Sequence, residues 1–194
     1  MSAHTARPPI VEEAPAARWL FGSTEGAAPI IWLVVRLYLG YEWLVGGWEK
    51  VTSKAWMDGG AALKGFAAGA IKNGTTGEHP QVAYGWYVTF LEWIRDSAHT
   101  WMGPMIAVGE VVIGIALILG AFVGIAAFLG IILNFSFVFA GSAGVNPLFL
   151  VIGLLLVLAW RNAGWIGLDR FILPKLGTPW SARAADRRQE RMAS

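Results

Sequence analysis

The chain has 194 residues, of which 56% are apolar types and only 14% are charged, and its mean hydropathy is +0.53. A soluble domain carries about a quarter charged residues, so the composition excludes an ordinary one and points to a chain solvated largely by lipid. A net charge of +2 gives no reason to infer nucleic acid binding, and the absence of cysteine excludes disulfides, thiolate iron–sulfur ligation, thiol catalysis and cysteine-type zinc sites.

Residues 1–28 carry Pro8, Pro9, Glu12, Glu13 and Pro15 and lack the apolar core of a cleavable signal peptide, so they read as a flexible segment ahead of an uncleaved first anchor. The first span is expected over 29–48. Pro29 suits an opening helical turn, and Trp43 and Trp48 suit an interfacial belt at the far end. The connection over 49–101 is too long for an ordinary loop and too apolar for a disordered linker. Within 82–101, Glu92, Arg95, Asp96 and His99 share one helical face, apart from Tyr87, Leu91 and Ile94, which predicts an amphipathic helix at the membrane surface. A second helix is expected over 60–71, with Leu63, Phe66, Ala67 and Ala70 at helical spacing and Asn73 and Gly74 ending it. Together the two would form an external lid, or pack at the interface with no ligand.

From Met105 to Ala140 the only ionisable residue is Glu110. As one helix this run would be about 54 Å long, far beyond the roughly 30 Å hydrocarbon core, so it must turn back on itself. Gly120 and Gly124 offer the turn and a close helix approach, giving spans over 102–120 and 123–141. The last span is expected over 146–163, with Asn146 as N-cap and Pro147 as first helical residue, followed by a basic tail over 174–194. The fold class is therefore all-α: a polytopic four-helix transmembrane bundle with amphipathic helices in a long first external loop. Arg7, Arg18, Arg161, Arg170, Lys175 and the Arg183 to Arg191 run concentrate basic charge at the ends, which puts both termini in the cytoplasm by the positive-inside rule.

Charged residues inside membrane segments are normally paired, solvated in a cavity, or functional. Measured from the outer helix ends, Glu42 lies roughly 9 Å deep, Asn134 about 10 Å, Glu110 about 12 Å and Arg36 about 18 Å. An arginine side chain is long enough for Arg36 to pair with Glu110 and to take the Asn134 carbonyl as a further partner. Arg36 and Glu42 are about 120° apart around one helix and do not pair with each other. Two readings stand side by side: a small polar chamber that binds a polar head group or relays a proton, and a structural ion pair that fixes helix packing while Glu42 snorkels to the interface. His4, His79 and His99 lie outside the spans, so no transmembrane haem ligand pair is available, and two histidines without a spacing motif do not define a metal site. No flavin or dinucleotide fingerprint and no phosphate loop is visible.

The segments Arg36 to Gly40, Gly46 to Lys50, Gly109 with Glu110, and Gly114 to Gly120 resemble the DoxX family of small four-helix membrane proteins. The turn from Gly141 to Pro147, and Arg161 to Gly164 leading to Gly167 through Arg170, resemble its DoxD branch, named for the membrane subunit of thiosulfate:quinone oxidoreductase. The likeness covers residues 29–173. It implies an inner-membrane subunit that helps pass electrons from thiosulfate or another small sulfur compound to membrane quinone, with a smaller redox partner subunit; a homo-oligomer is also open. If that redox reading holds, Arg36 would stabilise the anionic reduced quinone and Glu110 would handle protons, with Glu42 a further catalytic candidate. The quinone ring would enter from lipid near Trp43 and Phe135, Asn134 is a further substrate-binding candidate, and Lys50, with Lys54 and Lys64, would attract the sulfur dianion. The alternative is a non-enzymatic scaffold that anchors a soluble redox or oxidant-defence enzyme to the bilayer.

Overall fold

Pro29 stands in the opening turn of a helix that no breaker interrupts before Thr52, and this helix sets the position of everything else. In the computed structural model, which describes residues 15–78, 80–142 and 144–177, it runs over Ala28–Val51 and is designated α2. A short helix, α1 (Pro15–Gly22), precedes it inside the stretch expected to be flexible. The Leu20 carbonyl at the end of α1 accepts the Trp32 indole N–H at 2.6 Å and the Asn162 amide at 2.7 Å, and these bonds tie the helix down. The two ends of the described chain therefore meet at one end of the molecule. Residues 1–14, with His4, and the Arg183 to Arg191 run lie outside the described residues.

After α2 come α3 (Lys54–Met57) and α4 (Ala61–Gly74), then α5 (Gly85–Trp93). The expected helix over 60–71 is thus present and ends at its Asn73 and Gly74 pair. The expected surface helix over 82–101 is not a separate element. Through a π-helical turn at Ile94–Ala98, α5 runs directly into α6 (His99–Leu119), making one helix of 35 residues. At 1.5 Å per residue that is about 52 Å, so its first half must project beyond a bilayer core. Its apolar face does not lie on lipid. Tyr87, Leu91, Ile94 and Ala98 recur at spacings of four, three and four, and the first three pack on Leu63 and Ala67 of α4. The Tyr87 hydroxyl also donates to the Ser136 carbonyl, and His99 Nδ1 lies 2.8 Å from the Gly59 carbonyl oxygen.

The run after α6 does turn back at the expected glycine. Gly120 adopts φ 67° and Phe122 φ 49°, and the Ala121 N–H closes on the Ala116 carbonyl at 2.9 Å. Then follow α7 (Val123–Phe139), α8 (Asn146–Leu158), α9 (Trp160–Ala163) and α10 (Asp169–Lys175). Asn146 is not the cap: it is the first residue of α8, and its side chain donates back to the Ser142 carbonyl at 2.8 Å. Among the described residues all regular structure is helical. By length and composition α2 and the α5–α6 helix can cross a membrane, whereas α7 and α8, apolar throughout, have 17 and 13 residues.

The glycines that matter most sit between α2 and α6, not between α6 and α7. A Cβ on Gly47 would lie 2.6 Å from the Val111 backbone nitrogen, and one on Gly114 would lie 2.5 Å from that of Leu44, so the two backbones are nearly in contact. Outward, α2, α6, α7 and α8 all present large apolar side chains, Val34, Val112, Phe128 and Leu154 among them, while Arg36, Glu110 and Asn134 are buried. A surface that apolar on every side suits lipid rather than water. Gly47→Leu should force α2 from α6 and cost at least about 2 kcal/mol, whereas Gly65→Ala, which meets nothing on α4, should be neutral or stabilising by up to about 1 kcal/mol. Thermal unfolding in detergent checks both.

Candidate functional site

Because α2 continues to Val51, Lys50 is helical and lies one turn beyond Gly46 and Gly47, the two glycines that let α6 come close. Its Nζ reaches Glu110 Oε2 at 2.5 Å, with the Gly46 carbonyl at 3.5 Å as a second partner. The Glu110 side chain is 2% exposed and that of Lys50 22%, so the pair runs from the interior to the surface. Trp56 of α3 covers the ammonium, its ring centroid 5.4 Å away. Glu110 Oε1 has no protein partner.

Arg36 does not pair with Glu110, contrary to the sequence expectation. Its Nη2 donates to the Ile166 carbonyl at 2.7 Å, and Nη1 lies against Gly120 and Gly167 at the opposite end of the molecule. Glu110 is ten residues back along α6 from Gly120, about 15 Å. The physical reason is reach: Arg36 is about 12 Å from the start of α2 and about 22 Å from its end, so its side chain extends toward the nearer end, while Lys50 enters from the other. Nor does Asn134 partner Arg36, for the Asn134 Oδ1 and the Arg36 Nε and Nη1 all lack protein partners. Glu42 is half-buried and forms no ion pair among the described residues.

Trp43 is not an interfacial residue. It is buried in the core, with Nε1 3.2 Å from where a Cβ on Gly130 would stand, whereas Trp48 is exposed as an interfacial side chain should be. Phe135 turns the other way. With Trp86, Tyr87, Phe90, Ile132 and Phe139 it lines an outward-facing aromatic groove of about 490 Å³, so Trp43 and Phe135 do not flank one opening. Lys54 and Lys64 are exposed; among the described residues no cluster of three or more metal-ligating side chains exists, and His79 lies outside them.

Three of the expected residues nonetheless share a region. Trp43 faces Gly130, Gly47 faces Glu110 and Val111, and Asn134 lies one turn beyond Gly130 in the direction that Gly47 lies beyond Trp43. Helix register thus brings the Glu110 and Asn134 side chains to one layer with the Trp43 indole just beneath. Each leaves a buried polar atom without a partner among the described residues: Trp43 Nε1, Glu110 Oε1 and Asn134 Oδ1. Such atoms are costly to bury. One N–H donor and two oxygen acceptors suit a small polar group able to both accept and donate a hydrogen bond.

Residues 31–143 match the DoxX family. The chain belongs to the DoxX family. The matched region holds Arg36, Glu42, Trp43, Lys50, Glu110 and Asn134, and the family is membrane-associated and often linked to oxidoreductase or quinone-related function. No curated protein and no solved structure matches the chain.

Two roles escaped sequence reasoning. Lys50 as the partner of Glu110 was signalled by its place seven residues after Trp43 on one helix face, which needs α2 to extend past 48. Asp169 stands in the Gly167 to Arg170 segment of the family likeness, which gave no sign of a capping role. It is buried, and its carboxylate accepts the Phe122 N–H at 2.6 Å and the Val123 N–H at 2.9 Å, closing the start of α7 near Arg36. Burial pushes the Asp169 carboxyl above the usual carboxylate range, against the opposing pull of those two amides and Arg36. Asp169→Ala should cost about 2 kcal/mol by freeing both donors, whereas Glu42→Gln should change stability by less than about 0.5 kcal/mol, both measured by denaturant unfolding in detergent.

Proposed function

We propose that this DoxX protein is the membrane subunit of a quinone-linked oxidoreductase of the DoxD branch, passing electrons from thiosulfate or another small sulfur compound to membrane quinone. The observation that carries this reading is the buried Glu110 carboxylate, held on one oxygen by Lys50 and free on the other, in a layer with the free Trp43 N–H. Quinone reduction takes up two electrons and two protons. Glu110 Oε1 is positioned to deliver protons to a quinone oxygen, Trp43 Nε1 to donate a hydrogen bond to the head group, and Lys50, partly exposed, to connect Glu110 with water. The electrons come from the sulfur donor through a smaller redox partner subunit, which fits a chain without cysteine.

In this reading α2, α6, α7 and α8 all cross the inner membrane with both termini in the cytoplasm. The outward apolar faces of α7 and α8 support four crossings, and Arg161, Arg170 and Lys175 at the end bearing the termini support the orientation. Arg36 belongs to that inner end and serves packing, so it leaves the proposed proton path.

The test is quinone reduction by thiosulfate in membranes or purified complex containing the native partner. Glu110→Gln should lower turnover at least about 100-fold while the partner still copurifies. Unchanged turnover in an assembled Glu110→Gln complex would instead make the chain a scaffold that anchors a redox enzyme.

A further inference from the structure

At the end of the molecule where the described chain begins and ends, the start of α7, the last turn of α8 and α10 enclose a groove of about 390 Å³. Its walls are Phe122, Ile125, Phe128, Val157, Trp160 and Leu173, a volume and lining typical of a site for an apolar ligand. Asp169 also borders it, but both carboxylate oxygens are engaged by backbone N–H groups, so the groove offers a ligand almost no polar partner. Ile125 and Phe128 are more than half exposed on the outward side of α7, so the groove opens sideways, toward where acyl chains would lie.

Positive charge stands at its rim. The Arg161 guanidinium is 5.2 Å from the centre of the Trp160 ring that forms one wall, is exposed, and makes no ion pair among the described residues. Next along the chain, Leu168, Phe171 and Leu176 are exposed alongside Arg170 and Lys175, the mixture of apolar and basic side chains found where a protein meets lipid head groups.

We propose that this groove binds one acyl chain of an anionic phospholipid, with the lipid phosphate held against Arg161. An apolar slot alone would not distinguish one phospholipid from another; the arginine beside its Trp160 wall selects for negative charge. The site stands apart from the Lys50–Glu110 pair and does not depend on the oxidoreductase reading.

Native mass spectrometry of the full chain, released from bilayers of equal phosphatidylglycerol and phosphatidylcholine, tests the proposal. The wild type should retain one phosphatidylglycerol in preference to phosphatidylcholine. Arg161→Gln should cut that preference about fivefold, the effect of one basic residue near a head group, and leave phosphatidylcholine retention unaltered. Ile125→Trp, filling the slot from its exposed side, should abolish retention of both without lowering the unfolding temperature. Equal retention of the two lipids by the wild type, an unchanged preference in Arg161→Gln, or retained lipid in a folded Ile125→Trp protein would each overturn it.

Discussion

An ionised side chain inside an apolar bundle has to find a counter-charge or a polar partner, and Lys50 and Arg36 each do so at the nearer end of α2. Lys50 reaches inward to Glu110, and Arg36 reaches the Ile166 carbonyl at the opposite end, with Asp169 close by. The close approach of α2 and α6 makes the first of these contacts possible, since any side chain at Gly47 would push Glu110 away from the lysine. Breaking such a pair on one side strands a buried charge, which costs more than the pair gains when whole. The two ends of α2 are therefore locked by different chemistry: an acid–base pair with a free oxygen at one, and a guanidinium with backbone carbonyl and glycine contacts at the other.

That division bears on function. The pair at the Lys50 end shares a layer with the unpaired Trp43 and Asn134 atoms and runs out to the surface, the arrangement on which the proposed proton delivery rests. The Arg36 end joins α2, the turn at Gly120, the Gly167 segment and the Asp169 cap into a knot of backbone contacts. Helices α3 and α4 add a third element: they pack on the projecting half of the α5–α6 helix, and Trp56 covers the lysine at the mouth of its path.

Much of this was legible in the residues, and the failures share a cause. Periodicity and length placed α2, α4, α6 and α7 within a few residues, because apolar faces and glycine or proline breakers are local signals, but gave no sign of α1, α3 or α10 nor that α5 runs on into α6. The turn at Gly120 and the end of α4 at Gly74 follow from such signals alone. Pairing was not local. Depth measured from one helix end suggested Arg36 with Glu110, but a long side chain chooses between two ends, and the sequence does not state how α2 tilts or how far it continues. Trp43 was misassigned for a related reason: tryptophan suits both an interface and a core, and only the gap left by Gly130 on α7 decides between them. Asp169 lies in the Gly167 to Arg170 segment that carries part of the family likeness, but its capping role appears only once α10 is folded against the start of α7.

Lys50 and Glu110 form one energetic unit, and a double-mutant cycle measures their coupling. Unfolding free energies in detergent would be compared for wild type, Lys50→Met, Glu110→Gln and the double variant. Each single change should cost about 2 to 4 kcal/mol, and the double variant should lose less than their sum by about 2 kcal/mol, because the second change removes a charge already stranded by the first. Strictly additive losses would mean the two side chains act independently, and the account of the site built on their pairing would be wrong.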